Sequence, residues 1–534
     1  MNNQSHFIYS KSIIKPQLEI KIIEFANSKP STKKISSFLN TNFSIDATDD
    51  KDIISAYNHD WSNMIGKASI LCRPTNSTEC AIAIKLCSLL KIKITISAGR
   101  TNLTGSATPN GGLILSIEKM NKIDSLDTSN KLVSVNPGVY IEQVRKFVKY
   151  ESQNSLIFAV DPTSRNEAMV GGAVSCNASG FIPGPKGSMR MWVNQLEFLL
   201  PNGEHITAER GQYISKNGQF IIKNSNGEDS IIYIPRYKRV NLKNASGPFT
   251  AEDGKLDLID LIVGSEGIFG CITNVHLKLS DNPSQYINLF IKLKNEEIAF
   301  NFYNYIRKIL NDDMGNLSGF EYFGNNCRSY MNHYKHFFNQ KYSVGIYMQI
   351  PLYGDNIDKW IEKWYDILMG FDDINEEEQI LSLDDPNNWK TFFEARHSIP
   401  ANALHKSKEY NTASIITDTI VPPHSFQDFI KKTHSLIKSK KIDYLLFGHL
   451  GDCHLHFHLI PNAENENEAI KCYRDIIQIS SNLGGIYSAE HGTGKRKKKD
   501  FIECYGMNGV KEVIKCKIGF DPNFLFNNGN VVDK

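Results

Sequence analysis

The sequence predicts an α+β protein of two or three cooperating domains, on three observations. Its 534 residues exceed what one hydrophobic core usually organises. Three glycine-rich turns follow strand-like segments in the first half. Beyond about residue 283 these turns thin out, and aromatic-rich helix and strand patterns alternate, as over 300–310 and 342–350, the mark of a second, α+β unit.

The elements follow in order. From Ser69 the chain reads ILCRPTNSTECAIAIKLCSLLKIKITIS: a short apolar run, a capping-box-like stretch, a helix with apolar positions every third or fourth residue, and an alternating strand. This β–α–β unit ends at Ala98-Gly99-Arg100-Thr101-Asn102-Leu103-Thr104-Gly105, where glycines and small hydroxyl residues expose backbone N–H groups to an anion, a phosphate being the natural one. Residues 111–117 and 132–135 read as strands and 140–150 as a helix. A second small-residue segment runs from Met169 to Gly180, and a strand ends in the Pro201-Asn202-Gly203 turn. Residues 208–255 form a polar insertion with some hairpin content and no assigned chemistry. Regular structure returns over 258–279 with the third turn, Gly264-Ser265-Glu266-Gly267. The acidic stretch 371–388 reads as a solvated loop.

Composition excludes several classes. Lys plus Arg number 60 against 58 Asp plus Glu, a net charge of +2, so no global field attracts nucleic acid. The N-terminus lacks a secretory h-region, and no apolar run is long enough for a membrane-spanning helix. Ten scattered cysteines form no CxxC pair, which fits a reduced, cytoplasmic protein without an iron–sulfur cluster in this chain. The glycine turns lack the GxGxxG spacing and the acidic residue about 20 positions on, which disfavours a Rossmann fold.

A second constellation lies at Gly448-His449-Leu450-Gly451-Asp452-Cys453-His454-Leu455-His456-Phe457-His458, with Ser488-Ala489-Glu490-His491-Gly492 downstream. Two imidazoles and a carboxylate can give a divalent metal three ligands and leave one position open. His454, His456 and His458 also alternate on one face of a strand, where histidines can simply be hydrogen-bonded; both readings stay open at this level. Cys453, a strand neighbour, points to the opposite face. Lys495-Arg496-Lys497-Lys498-Lys499 reads as a solvated basic run. The alternative is peripheral attachment to anionic lipid on the inner face of a membrane.

The ordered motifs SAGRTNLTGSATPNGGLILS, DPTSRNEAMVGGAVSCNASG, VGSEGIFGCITNVHLKL, FEARHSIP, TDTIVPP, FGHLGDCHLHFHLIP, SAEHGTG and FDPNFLFNNG resemble the vanillyl-alcohol-oxidase-type (PCMH-type) FAD-binding family, and within it the FAD-linked D-lactate and D-2-hydroxyacid dehydrogenases, over roughly residues 55–530. The resemblance implies an N-terminal extension (1–60), a two-subdomain FAD-binding domain (61–282), an α+β cap with an antiparallel sheet (283–485) and a C-terminal segment (486–534) that completes the active site. It implies FAD cradled by Gly99, Arg100, Thr101, Asn102, Leu103 and Gly105. Gly171, Gly172, Asn177, Gly264, Glu266, Gly267 and Asn528 would add contacts, with Asp161 and Pro162 in the preceding segment. No histidine stands in residues 97–105, so non-covalent FAD is expected.

The same resemblance assigns His449, His456 and Glu490 to a divalent metal, zinc foremost. His454 stands where relatives carry an asparagine that contacts flavin or substrate. His491 is the expected general base, since imidazole titrates near neutrality; the alternative is a supporting partner of the metal site. Arg396 is the expected carboxylate clamp, because guanidinium matches a carboxylate bidentately. Asp418 also matches the pattern, with a structural role. The implied reaction is hydride removal from the α-carbon of a small 2-hydroxy acid, D-lactate by default. Quinone, a cytochrome or an electron-transfer flavoprotein would take the electrons. Two rivals on the same scaffold are a non-redox transferase resembling alkyl-glycerone-phosphate synthase and a sugar-lactone or alcohol oxidase.

Overall fold

The computed structural model describes residues 4–354, 356–375 and 377–534. The β–α–β unit forms as the sequence implies: the helix Ser77–Leu90 is capped by Asn76, whose Oδ1 accepts the Glu79 N–H at 3.0 Å, while Glu79 Oε2 accepts the Thr75 N–H at 2.7 Å. The first contact satisfies an N–H that the first helical turn leaves open, and the second fixes the residue before the cap. Its strands Ile70–Arg73 and Ile94–Ser97 flank Leu113–Ser116 in parallel, and Asp46–Thr48 closes the edge antiparallel. The second subdomain is a five-stranded antiparallel sheet in the order 205–209, 193–199, 271–278, 132–135, 123–127. Together these two sheets are the split cofactor domain that the motifs imply.

The cap is a seven-stranded antiparallel sheet in the order 380–382, 285–293, 344–352, 319–323, 443–449, 454–460, 415–416. Its helices Glu296–Ile309, Ile357–Met369 and Phe426–Ser439 each carry a strongly one-sided apolar pattern and bury that side, as period-3.6 patterning requires. The acidic stretch 371–388 is not a loop throughout: Ile380–Ser382 pairs with Leu289–Ile291 as the edge strand. Position 376 lies outside the described residues.

The first 60 residues, expected as an N-terminal extension, pair with the domains that follow. Asp46–Thr48 belongs to the first sheet, and Phe7–Tyr9 runs parallel to Gln219–Lys223 in the polar insertion. The insertion contains the expected hairpin, 219–223 with 229–233, and residues 243–248 beyond it are buried.

The C-terminal segment returns to that domain. The helix Lys498–Phe520 breaks at Gly506, and the chain then adds Phe526 beside Ile94 at the edge of the first sheet. Lys517 anchors this return from a fully buried position. Its ammonium donates to the Ile268 and Phe526 carbonyls at 2.8 and 2.9 Å and to Asp521 Oδ2 at 3.1 Å, and Asp521 in turn accepts the Leu525 and Phe526 N–H groups. Breaking one side of a buried pair strands the other charge. Lys517→Met is therefore expected to cost about 3–5 kcal/mol, measured by denaturant unfolding with FAD absent; a loss below about 1 kcal/mol would contradict this role.

Candidate active site

A cavity of about 1400 Å³, counting its open mouth, lies where the first sheet, the second sheet and the cap meet. One wall is the loop 99–103. Asn102 Oδ1 shapes it by accepting the Thr104 and Ser106 N–H groups at 2.8 and 3.0 Å, and Arg100 holds a positive φ of 56°. The floor is backbone against backbone. A Cβ at Gly99 would sit 2.0 Å from the Glu167 carbonyl oxygen, and one at Gly171 would sit 2.6 Å from Pro137 Cβ, so only glycine allows this approach. Gly172, Pro162 and Gly267 continue the lining.

Glu266 joins this wall to the C-terminal segment. Its two oxygens accept the Thr493 and Gly494 N–H groups, both at 2.7 Å, and the Ser106 hydroxyl. Burial raises its carboxyl pKa against those donors.

Five expected cofactor residues stand outside the lining. Gly105 accepts Lys495 Nζ on its carbonyl, and Asp161 Oδ1 accepts the Phe181 N–H. Asn177 Oδ1 accepts the Arg190 N–H, and Gly264 turns the chain at φ 79°. Asn528 bonds Asn110 instead. Its neighbour Asn527 lines the cavity, donating to the Glu266 carbonyl at 2.7 Å and accepting the Ile96 N–H at 2.8 Å.

The opposite wall is Phe181, His449, Glu490 and His491. The hairpin 443–449/454–460 places His449 opposite His454 and Phe447 opposite His456, so all four share one face. Cys453 points the other way, to the Tyr303 hydroxyl at 3.1 Å. Three imidazole Nε2 atoms surround one oxygen, Glu490 Oε1: His456 at 3.5 Å, His449 at 3.7 Å and His491 at 3.7 Å. Burial alone would raise the Glu490 carboxyl, but His449, His456 and Lys243 overcome it and hold the pKa well below the ordinary range.

The His456 tautomer is set from behind, where Nδ1 donates to the Thr417 carbonyl at 3.0 Å. His449 Nδ1 lies 3.3 Å from Glu321 Oε1 without a hydrogen bond. His454 departs from its expected place at flavin or substrate. It is fully buried outside the lining, with Nε2 3.2 Å from Asp418 Oδ1 and its pKa lowered by burial to about 4.

Arg396 also differs. Its Nε and Nη2 grip Glu321 at 2.7 and 3.0 Å, and its guanidinium lies over the Phe181 ring at 4.5 Å. The bidentate edge expected to receive a carboxylate is occupied from within, by a glutamate outside all of the recognised motifs. Asp418 is more than a scaffold. It accepts Ser488 Oγ at 2.6 Å, Lys497 Nζ at 2.9 Å and the His491 N–H at 3.0 Å. Burial would raise its carboxyl, yet His491, Lys497 and His454 keep it well below the usual range.

The basic run is therefore not a free surface. Lys497 is buried on Asp418, Lys495 reaches Gly105 and Asn530, and Arg496 donates to the Leu103 and Ser62 carbonyls. No helix of the described residues is long and apolar enough to cross a membrane.

Residues 68–209 match the family described as FAD binding domain, and residues 355–531 match the FAD linked oxidases, C-terminal domain. The chain is 27% identical to a D-lactate dehydrogenase of Anaerostipes hadrus over 513 residues, covering 90% of this chain and 94% of that protein. It is 22% identical to a D-2-hydroxyglutarate dehydrogenase of Stutzerimonas stutzeri over 499 residues, covering 90% and 95%. Its fold is similar to that of p-cresol methylhydroxylase, with a TM-score of 0.66 at 14% identity over 98% of this chain and 99% of the other. An alkyldihydroxyacetonephosphate synthase aligns with a TM-score of 0.63 at 15% identity, covering 97% and 86%.

The fold is that of the PCMH-type FAD-binding proteins, and the two domain matches make the chain an FAD-linked oxidoreductase. Its two domain matches place the chain among the FAD-linked oxidases, and the relatives it is similar to over nine-tenths of its length are named D-lactate and D-2-hydroxyglutarate dehydrogenases.

The lining suits FAD: the loop 99–103 and the glycine floor leave main-chain atoms facing the space, where they can meet a large anionic ligand. Both Glu266 oxygens accept N–H or O–H donors, so an amide there sets one NH2 group against a donor, at about 1–3 kcal/mol. Glu266→Gln is expected to weaken FAD binding about 5–150-fold, measured by fluorescence titration of deflavinated protein; unchanged affinity would show that this tie does not shape the cofactor wall.

Proposed function

We propose that the protein oxidises a small D-2-hydroxy acid to the 2-oxo acid, with D-lactate the first candidate. The observation that carries this reading is the meeting, at the cavity-lining Glu490, of Oε1 with three imidazole nitrogens, those of His449 and His491 on the same wall and His456 behind it. Separations of 3.5–3.7 Å are long for hydrogen bonds. They approach the roughly 3.4 Å that separates tetrahedral zinc ligands about 2.1 Å from the ion. Ligand atoms of His449, His454, His456 and Glu490 all lie within 4.8 Å of one another. The donor set therefore fits a divalent cation, zinc foremost, on His449, His456 and Glu490.

Bound there, the cation would polarise the substrate hydroxyl, and non-covalent FAD would accept the two electrons that leave the α-carbon as hydride. The proton is the task of His491. Burial lowers its pKa below that of free imidazole, against the pull of Asp418, so the ring is neutral at pH 7 and able to accept. Asp418 holds it through the backbone N–H and stands 3.6 Å from Nδ1. Arg396 acts through Glu321 to aim His449. Electrons then pass to a quinone, a cytochrome or an electron-transfer flavoprotein.

Anaerobic addition of D-lactate, L-lactate, D-2-hydroxyglutarate and glycolate to the purified holoprotein tests this reading. One D-acid is expected to bleach the flavin band; persistence of oxidised flavin with every acid would favour a non-redox transferase. The bleaching rate is expected to increase as pH rises through an apparent pKa below about 6.5, because the base acts when unprotonated, and to level off above it. His491→Gln is expected to lower the rate about 10²–10⁴-fold with FAD retained. A profile that declines with rising pH, or a variant of undiminished rate, would remove His491 from the role.

A further inference from the structure

The polar insertion delivers one side chain to the active site. Lys243 is 1% exposed, although it lies in a segment of polar composition. Its Nζ stands 3.0 Å from Asp452 Oδ2 and 3.7 Å from Glu490 Oε2. The three residues come from separate regions of the chain: the insertion, the cap hairpin turn and the C-terminal segment.

Neighbouring contacts hold the segments. The Asn244 carbonyl accepts Arg239 Nη2 at 2.8 Å, and the Ala245 N–H donates at 3.2 Å to the carbonyl of Ser488, two residues before Glu490. Asp452 Oδ1 accepts the Gly184 N–H at 2.5 Å.

The two oxygens of Glu490 therefore face different surroundings. Oε1 meets the imidazoles of His449, His456 and His491, while Oε2 accepts the Ser179 hydroxyl at 3.2 Å and faces the Lys243 ammonium. A carboxylate with both oxygens unengaged rotates about its terminal torsion and can chelate through either one. Occupying Oε2 leaves Oε1 as the single oxygen turned to the imidazoles.

We propose that Lys243 is a positioning residue: it holds Glu490 so that only Oε1 is presented to a cation on His449 and His456, and through Asp452 it ties that ligand to the closed cap. This rests on the reading of the histidine cluster as a metal site. Lys243 does not line the cavity, so it acts through Glu490 and not on substrate. Partners at this distance from a metal typically alter affinity by about 10–100-fold.

The test is Zn²⁺ affinity, measured by competition with a chromophoric chelator on FAD-loaded protein, for wild type, Lys243→Met, Asp452→Asn and Lys243→Met/Asp452→Asn. The double variant removes the stranded charge that can unfold the single one. FAD content and near-ultraviolet circular dichroism report folding. Expected are a loss of about 10–100-fold in both variants lacking Lys243, full FAD content in the double variant, and near-wild-type affinity in Asp452→Asn.

A double variant that keeps FAD and binds Zn²⁺ as wild type does overturns the proposal, because Lys243 then only balances Asp452. A double variant that cannot fold overturns it as well, assigning Lys243 to the fold. Wild-type protein that binds no Zn²⁺ overturns the metal reading itself and the inference with it.

Discussion

Burying a carboxylate at the wall of a cavity costs several kcal/mol unless charges and donors surround it. Glu490 is surrounded by groups from distant regions of the chain. His449 and His456 come from the cap hairpin, Lys243 from the insertion and Ser179 from the cofactor domain. The geometry of the catalytic end depends on this convergence, which partners behind each group hold in place: Asp452 for Lys243, the Thr417 carbonyl for His456 and Glu321 for His449. Asp418 has the same function in the layer beneath, gathering Lys497, Ser488 and the His491 backbone. Two buried carboxylates thus place the imidazoles, and the cap cannot swing away without stranding charge.

The cofactor wall follows a different principle. It is made of backbone held close to backbone, with glycine where a Cβ would collide, and its loops are tied by Glu266, Asn102 and Asn527. Charges are sparse on that wall and dense on the other. The division suits a large ligand gripped by main-chain atoms on one side and a small, reactive one held by ionisable groups on the other.

Much of this was legible in the sequence, for identifiable reasons. The helix 77–90 and its flanking strands carry a cap and a clean apolar period, and the loop 99–103 announces itself by its small residues. Histidines spaced by two on a strand must share a face, so His454 and His456 fall together with His449 across the turn. What stayed hidden depends on partners remote in sequence. Glu321 occupies the fork of Arg396 across 75 residues, and Lys243 sits 209 residues from Asp452. Local pattern marks neither; composition pointed the wrong way for Lys243 and for the run 495–499, where Lys497 is buried. Asn527 and Asn528 differ by one position in a turn, a distinction that periodicity does not resolve.

Glu490 is proposed to complete a cation site with the cap histidines. Counting divalent metal per chain in purified wild type and in Glu490→Gln, by plasma mass spectrometry alongside FAD absorbance, tests it directly. About one equivalent is expected in wild type and its loss in the variant, with FAD content unchanged. Equal metal content in the two proteins, or wild type free of metal yet fully reducible by its acid substrate, would contradict the claim.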